Sequence, residues 1–362
     1  MIHARGVVVR EPGGPLTVED LELEGPGPGE VLVRLLASGV CHSDLHVALG
    51  RSGRDFPYLL GHEGFGVIEA VGPGVDPDRT GERVILCWRA PCGRCRFCLR
   101  GDPVHCADVQ TPASRIRSAA DGAVLTPMLR LGTFTTHTVV TAGEAVAVDA
   151  DLPPEVGCLI GCGVTTGVGS AMRTAGVESG SSVAVFGCGG VGTSVIQGAR
   201  LANAARIIAV DLSPAKLELA MRFGATDVVD ASAGDPVERV RSLTGGSGVD
   251  YAFDVVGVPE TFRQALGACD QSGTCVLVGV PPQGAEVTLP MSALFGYRRR
   301  VLVSWYGDCL GTRDFPQLAR WYRDGRLLLD ELVSERIGLG DVSRAFDAMH
   351  DATRLRSVIV FD

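Results

Sequence analysis

Along the first 150 residues, apolar positions recur in short runs that break at glycine or proline: GVVVRE, EVLVRLLASGV, GFGVIEAVG, ERVILCW and HTVVTAGEAVAV. Runs of this length bounded by turn formers predict β-strands, and helical periodicity is sparse among them. The character changes near Pro153–Pro154. From Ser182 the rhythm becomes apolar strand, glycine turn, helical pattern, strand, through SVAVFG, IIAVD, DVVD, DYAFDVVG, TCVLVGV and VLVSWYG. Near-continuous apolar runs belong to strands covered on both faces, so these six predict a parallel, doubly wound sheet. The tail carries a helix, GDVSRAFDAMH, and a closing strand, SVIVF. The predicted class is α/β with a mainly β second body.

Composition narrows the class. A chain of 362 residues suits two domains, and 46% apolar against 21% charged residues supports large cores. Net charge is −9 and no basic block exceeds Arg298–Arg300, which argues against a nucleic-acid or anionic-membrane surface. The first twenty residues lack a signal-peptide core, and no apolar run reaches membrane-spanning length, so a cytoplasmic location is expected. Of twelve cysteines, four lie between positions 92 and 106. Without an export signal, such clustering favours metal over disulfides.

SVAVFGCGGVGTSVIQGARLANAARIIAVD places Gly187-x-Gly189-x-x-Gly192 directly between a strand and a helix, with Asp211 closing the next strand nineteen residues after Gly192. That order is the fingerprint of a Rossmann dinucleotide site. Gly187 permits the tight turn, Gly189 lets the backbone approach a pyrophosphate, and Gly192 lets helix pack on strand. Helix N-terminal amides then face the phosphates. Asp211 accepts the ribose hydroxyls and repels a 2′-phosphate, which favours NAD over NADP; Lys216 is within reach of the same ribose. The alternative is an ordinary βα turn whose Asp211 caps the next helix, with Lys216 a solvated helix lysine.

CGRCRFCLRGDPVHC spaces Cys92, Cys95, Cys98 and Cys106 as C-x2-C-x2-C-x7-C. Four thiolates in an arginine-rich loop that lowers their pKa values close a tetrahedral zinc site with no position left for substrate, which makes this zinc structural. An iron–sulfur cluster also uses four cysteines, but its bacterial signature differs in the last spacing. A second constellation is dispersed: Cys41 in CHSDLH, His62 and Glu63 in GHEG, and Cys162 in GCG. Singly these mean little, and a lone Cys162 is an ordinary packing residue. Beside a dinucleotide fingerprint and a separate structural zinc, they compose a Cys–His–Cys set whose fourth position stays open, the pattern of a catalytic zinc. Asp44 would add unfavourable charge at such a metal, so it is expected to accept a hydrogen bond from His62 and fix its tautomer.

In CHSDLH, GHEGFGVIEAVGPGV, the four-cysteine lobe, LIGCGVTTGVGS, VFGCGGVG and LRSVIVF, the chain resembles the medium-chain, zinc-dependent alcohol dehydrogenases over essentially its whole length. CWRAPCGRC, WYGDCL, DFPQL and LVSERIGLGDV look like actinobacterial mycothiol-dependent formaldehyde dehydrogenases, the S-nitrosomycothiol reductase-like members. The resemblance implies a GroES-like, mainly β catalytic domain from residues 1–163 and 305–362, with a zinc lobe at 87–110, and an NAD-binding Rossmann domain at 164–304. It implies two zinc ions per chain, with Cys41, His62 and Cys162 holding the catalytic one and Glu63 a nearby carboxylate. Ser43 and His46 match a proton relay that runs through the cofactor ribose. His42, Thr166, Gly190, Val191, Val280 and Arg356 match cofactor contacts, with His42 standing where the family commonly has an arginine for the pyrophosphate. Trp88 and Phe134 match pocket positions or are core aromatics. Arg115 and Arg117 meet an anionic substrate end or are solvated loop arginines.

The implied activity is reversible hydride transfer between a primary alcohol or aldehyde and NAD(H). A thiol-adduct reaction on S-hydroxymethyl or nitroso mycothiol is the alternative, and a non-catalytic zinc- or NAD-binding protein the third reading. A homodimer or homotetramer is implied, formed through the edge strand VLVSW.

Overall fold

This computed structural model describes residues 1–107, 114–351 and 353–361. The chain divides into two compact units, Met1–Cys162 with Leu310–Asp362, and Gly163–Cys309.

The first unit is built on the strand Glu30–Gly39, eight of whose ten residues are buried. One edge pairs antiparallel with Glu63–Val71. The other is shared, His137–Thr141 covering Glu30–Arg34 and the late strand Arg356–Val360 covering Ala37–Gly39. Val31, Val33, Leu35, Ile68, Val84 and Leu86 fill the space between strands at 1% exposure or less, each contributing roughly 1.5–3 kcal/mol by leaving water. A smaller sheet, which includes Ile2–Val9 and Leu16–Leu23, packs alongside. The architecture is the GroES-like one.

The second unit is a six-stranded parallel sheet in the order Asp227–Asp230, Arg206–Asp211, Ser182–Phe186, Val249–Asp254, Cys269–Leu277, Arg300–Val303. Strand order reverses beside Ser182–Phe186, which puts the Gly187 turn at the switch point of a Rossmann sheet. Two of the six apolar runs were expected to be covered on both faces and are not. Asp227–Asp230 and Arg300–Val303 form the sheet's edges, and Val228, Val301 and Val303 are 43%, 43% and 65% exposed. Short edge strands resemble buried ones when only apolar content is read.

Membrane-spanning length is also corrected. Pro154–Thr174 is a 21-residue helix with an 18-residue window of mean hydropathy 1.2, and 78% of that window is buried, as in a core helix. Glycines suggest interruption here but act as packing faces: a Cβ on Gly157 would lie 2.3 Å from the Phe65 ring. Within this helix, Ile160–Val164 adopts π geometry, a local widening frequent at functional sites. Cys162 sits in it.

Candidate active site

Three elements deliver one cluster. Glu30–Gly39 and Glu63–Val71 pair with Gly39 opposite Glu63, so Cys41 and His62 leave the same end of the sheet. Cys41 is the N-cap of the short helix His42–Ala48, and Cys162 comes from the π segment. Ligand atoms of Cys41, His62, Glu63 and Cys162 all lie within 4.8 Å of one another. Gly39 is required beneath them, since a Cβ there would meet Glu63 Oε2 at 2.1 Å.

Asp44, His62 and Glu63 are fully buried. Asp44 Oδ1 lies 2.9 Å from His62 Nδ1 and accepts the Gly61 N–H at 3.2 Å, while Oδ2 accepts the Cys41 N–H at 2.8 Å. One carboxylate thus fixes the backbone of one sulfur donor and the ring of the nitrogen donor. His62 Nε2 is left buried without a hydrogen-bond partner, an arrangement that suits a metal ligand. The Cys162 thiol beside Cys41 holds the Cys41 pKa well below the usual range, and Cys41 in turn pushes that of Cys162 well above. Burial opposes charge on His62, but Asp44 and Cys41 outweigh it and raise its pKa. Burial lifts Glu63 to about 7 despite Arg356, whose guanidinium donates to Glu63 Oε2. Two sulfurs and one nitrogen suit zinc and leave a tetrahedral position over.

The four-cysteine lobe lies apart. Cys92, Cys95, Cys98 and Cys106 bring their sulfurs within 4.8 Å of one another, with Cys95 3.6 Å from Cys98 and 3.9 Å from Cys106. All are free thiols, and the N–H groups of Cys92 and Cys95 point at Cys106 and Cys92 sulfurs at 3.3 Å. The Cys98 backbone N–H leads in lowering Cys95 to about 6, and burial raises Cys98 to about 12. The arginines expected to lower these values do other work: Arg96 and Arg100 sandwich the Phe97 ring at 4.5 Å, and Arg89 donates to the Val104 carbonyl. Residues 108–110 of the expected lobe lie outside the described residues.

In the second unit, Gly187 has φ +96° and Gly192 packs so closely that a Cβ would meet the Gly187 carbonyl at 1.8 Å. A Cβ on Gly189 would meet nothing within 4 Å, the open seat that a phosphate needs above the helix start Gly190–Val191. Asp211 accepts the Cys188 N–H at 2.8 Å on one oxygen and the Ser213 N–H at 2.9 Å on the other. The helix cap is Ser213, which accepts the Lys216 N–H. Asp211 therefore links the glycine turn to the next loop and retains lone pairs for a ligand.

A family model for the alcohol dehydrogenase GroES-like domain matches residues 27–151, and one for zinc-binding dehydrogenases matches 190–324. An alcohol dehydrogenase class-3 from Cereibacter sphaeroides is 38% identical over 99% of this chain and 100% of its own. The chain belongs to the medium-chain, zinc-dependent alcohol dehydrogenase family. An S-(hydroxymethyl)glutathione dehydrogenase of Synechocystis sp. is also 38% identical, with 99% and 100% of the chains covered. A solved alcohol dehydrogenase zinc-binding domain protein from Burkholderia ambifaria superposes with TM-score 0.94 at 32% identity, covering 100% of this chain and 99% of its own.

The chain's other family-matched residues lie as follows. Ser43 Oγ is 3.7 Å from Cys41 Sγ. His46 is half-buried in the last turn of the same helix, and His42 is exposed at its start. Thr166 is half-buried on the helix Thr165–Gly169, and Val280 is 67% exposed. Phe134 is fully buried, packed against Gly61, and Trp88 is half-buried after the strand Arg83–Leu86. Arg356, matched to a phosphate, is 7% exposed and bonded to Glu63, because the last strand runs beside the cluster. Arg115 is not at a substrate end: it pairs with Glu30 at 2.6 Å and Glu24 at 3.2 Å. Arg117 lies in the strand Ile116–Ser118, opposite Glu22. The Glu63–Arg356 pair joins residues 293 apart and leaves no local trace in sequence.

Proposed function

We propose that the protein catalyses reversible hydride transfer between a primary alcohol or aldehyde and NAD(H). The observation carrying this reading is the buried Cys41–His62–Cys162 cluster, in which Asp44 occupies His62 Nδ1 and leaves Nε2 for a metal. Zinc held by these three residues supplies Lewis acidity toward a hydroxyl or carbonyl oxygen. Asp44 accepts from His62 Nδ1 and so fixes the tautomer and ring orientation that leave Nε2 for the metal. The Glu63–Arg356 pair cancels its own charge, so it neither repels nor competes with the two sulfurs. Ser43 accepts the hydroxyl proton, and His46, half-buried in the last turn of the same helix, passes it on toward solvent by way of the cofactor ribose. Trp88 and Phe134 form the aromatic wall for the organic part of the substrate. A second zinc in the Cys92–Cys106 lobe closes a structural site.

In the cofactor half, Gly187, Gly189, Gly190, Val191 and Gly192 cradle the pyrophosphate. Asp211 takes the ribose hydroxyls with Lys216 beside it, and Thr166 and Val280 flank the nicotinamide. His42 faces the pyrophosphate as a weaker substitute for arginine. Asp211 has its carboxylate held in place by two backbone N–H groups, which supports NAD over NADP through repulsion of a 2′-phosphate. The exposed edge Arg300–Val303 supports assembly as a homodimer or homotetramer, in the cytoplasm.

A second reading is supported by the Synechocystis relative's name and by the sequence likeness to mycothiol-dependent enzymes: oxidation of an S-hydroxymethyl thiol adduct. NADH formation with simple primary alcohols, and with formaldehyde in the presence or absence of glutathione or mycothiol, separates the two. Turnover of the alcohols without thiol supports the first, and strict thiol dependence sinks it. Full activity after Cys162→Ala removes the catalytic-zinc reading altogether.

A further inference from the structure

We infer that Arg130 is a positioning residue that sets the wall of the alcohol pocket by clamping Trp88; this rests on the reading that Trp88 and Phe134 line that pocket. The chain reverses at Met128–Gly132 in a way side chains resist. Leu129 and Arg130 are both left-handed, at φ 46° and 68°, and Gly132 follows at φ 53°. Two successive non-glycine residues in this region persist only where their surroundings hold them.

Arg130 supplies the hold. Its Nε donates to Glu144 Oε1 at 3.1 Å and its Nη2 donates to the Trp88 carbonyl. The arginine side chain is 16% exposed and the glutamate 2%. Glu144 is itself fixed three times: Oε2 accepts the Thr141 N–H at 2.9 Å and hydroxyl at 3.0 Å, and its carbonyl accepts the Cys87 N–H at 2.8 Å. The rigid fork therefore ties an immobile carboxylate to the peptide carrying Trp88.

The far end of the same loop reaches the metal cluster. The Thr133 N–H donates to the carbonyl of Gly61, one residue before His62, at 3.0 Å, and the Phe134 N–H donates to the Leu60 carbonyl at 2.9 Å. Phe134 packs so tightly on Gly61 that a Cβ there would lie 2.4 Å from its ring. On the other side, Leu86, two residues before Trp88, is the backbone neighbour of Gly161, next to Cys162. One strained turn thus spans both aromatic positions, and Arg130 bridges it to Trp88. A lysine would keep the charge beside Glu144 but cannot donate in the same fork to the carbonyl.

The test compares Arg130→Lys, Arg130→Met and Trp88→Ala as zinc-loaded protein, with ethanol and benzyl alcohol at saturating NAD+. Both Arg130 variants are expected to raise KM for benzyl alcohol roughly tenfold while KM for ethanol and NAD+ stays within about twofold. Arg130→Lys, which keeps the charge beside Glu144, should lower the melting temperature less than Arg130→Met, and Trp88→Ala should move the same selectivity ratio. With Trp305 and Trp321 replaced by phenylalanine, acrylamide quenching of Trp88 should rise about twofold in Arg130→Lys, a readout independent of turnover. The inference is overturned if Arg130→Lys keeps both the parental ratio and the parental quenching, or if the Arg130 variants only lower stability. If Trp88→Ala leaves the ratio unchanged, the pocket reading fails first and the inference falls with it.

Discussion

Replacing Gly189 by alanine separates cofactor binding from folding. Gly189 caps the helix Gly190–Leu201 with φ −73° and ψ −168°, a backbone any residue adopts, and its added methyl would meet nothing within 4 Å. On the folded side two small effects oppose each other: alanine restricts the unfolded chain, and it is a poorer N-cap than glycine. Each is worth up to about 1 kcal/mol, so the melting temperature should move by no more than roughly 2–4 °C. On the bound side, the methyl fills the seat above the helix amides and removes one charge-assisted bond to phosphate. That costs about 1.5–3 kcal/mol, or roughly 10- to 150-fold in the Kd for NAD+. Gly192→Ala is the contrast. Its methyl would lie 1.8 Å from the Gly187 carbonyl, so the turn must open and the protein should lose stability as well as affinity. Calorimetric titration with NAD+ and thermal melting of both variants decide the matter. Parental affinity in Gly189→Ala would refute the phosphate seat, and a melting temperature as low as that of Gly192→Ala would refute the open space.

Asp44→Ala should lower zinc affinity at the cluster by roughly 10- to 100-fold, read by competition with a chromogenic chelator, because His62 and Cys41 lose a shared anchor. Metal analysis of the parent should give two zinc ions per chain, and mild chelation should be slower to empty the cluster around the fully buried His62 than the lobe, of whose four cysteines only Cys106 is buried. In metal-free protein, alkylation of Cys95 should accelerate as pH rises through about 6, where its thiolate forms, while Cys98, raised to about 12, stays inert at neutrality; peptide mass spectrometry reads both, and zinc should protect both. The proposed assembly is tested by Val303→Asp, at a 65% exposed edge position: the parent should elute as an oligomer on size-exclusion chromatography and the variant as a monomer, with little change in melting temperature.

Much of the architecture is readable from pattern because parallel central strands are apolar at nearly every position and glycine turns punctuate them. Gly187, Gly189 and Gly192 stand out by spacing, as do the lobe cysteines, since local geometry governs both. Long-range pairing is not readable in the same way. Arg356 meets Glu63 through strand order rather than any motif, and Arg115 meets Glu30 across 85 residues. DVVD reads as an interior strand although it closes one edge of the sheet, because apolar content does not distinguish an edge. The π segment at Cys162 escapes prediction because LIGCGVTTGVGS reads as a glycine-broken run, whereas the glycines are where helix meets strand. The strained Leu129–Arg130 turn is invisible for a simpler reason: neither residue type favours the conformation it adopts.

The late strand Arg356–Val360 fills the edge of Glu30–Gly39 at Ala37–Gly39, and this orders events during synthesis. The contiguous unit Gly163–Cys309 leaves the ribosome whole and is free to fold. The unit holding the cysteine–histidine cluster must wait, with a bare strand edge open to mispairing and Glu63 lacking its counter-charge. Only when Arg356 emerges is that carboxylate neutralised. A chain that stops before Arg356 therefore lacks both the strand that covers Ala37–Gly39 and the counter-charge of Glu63.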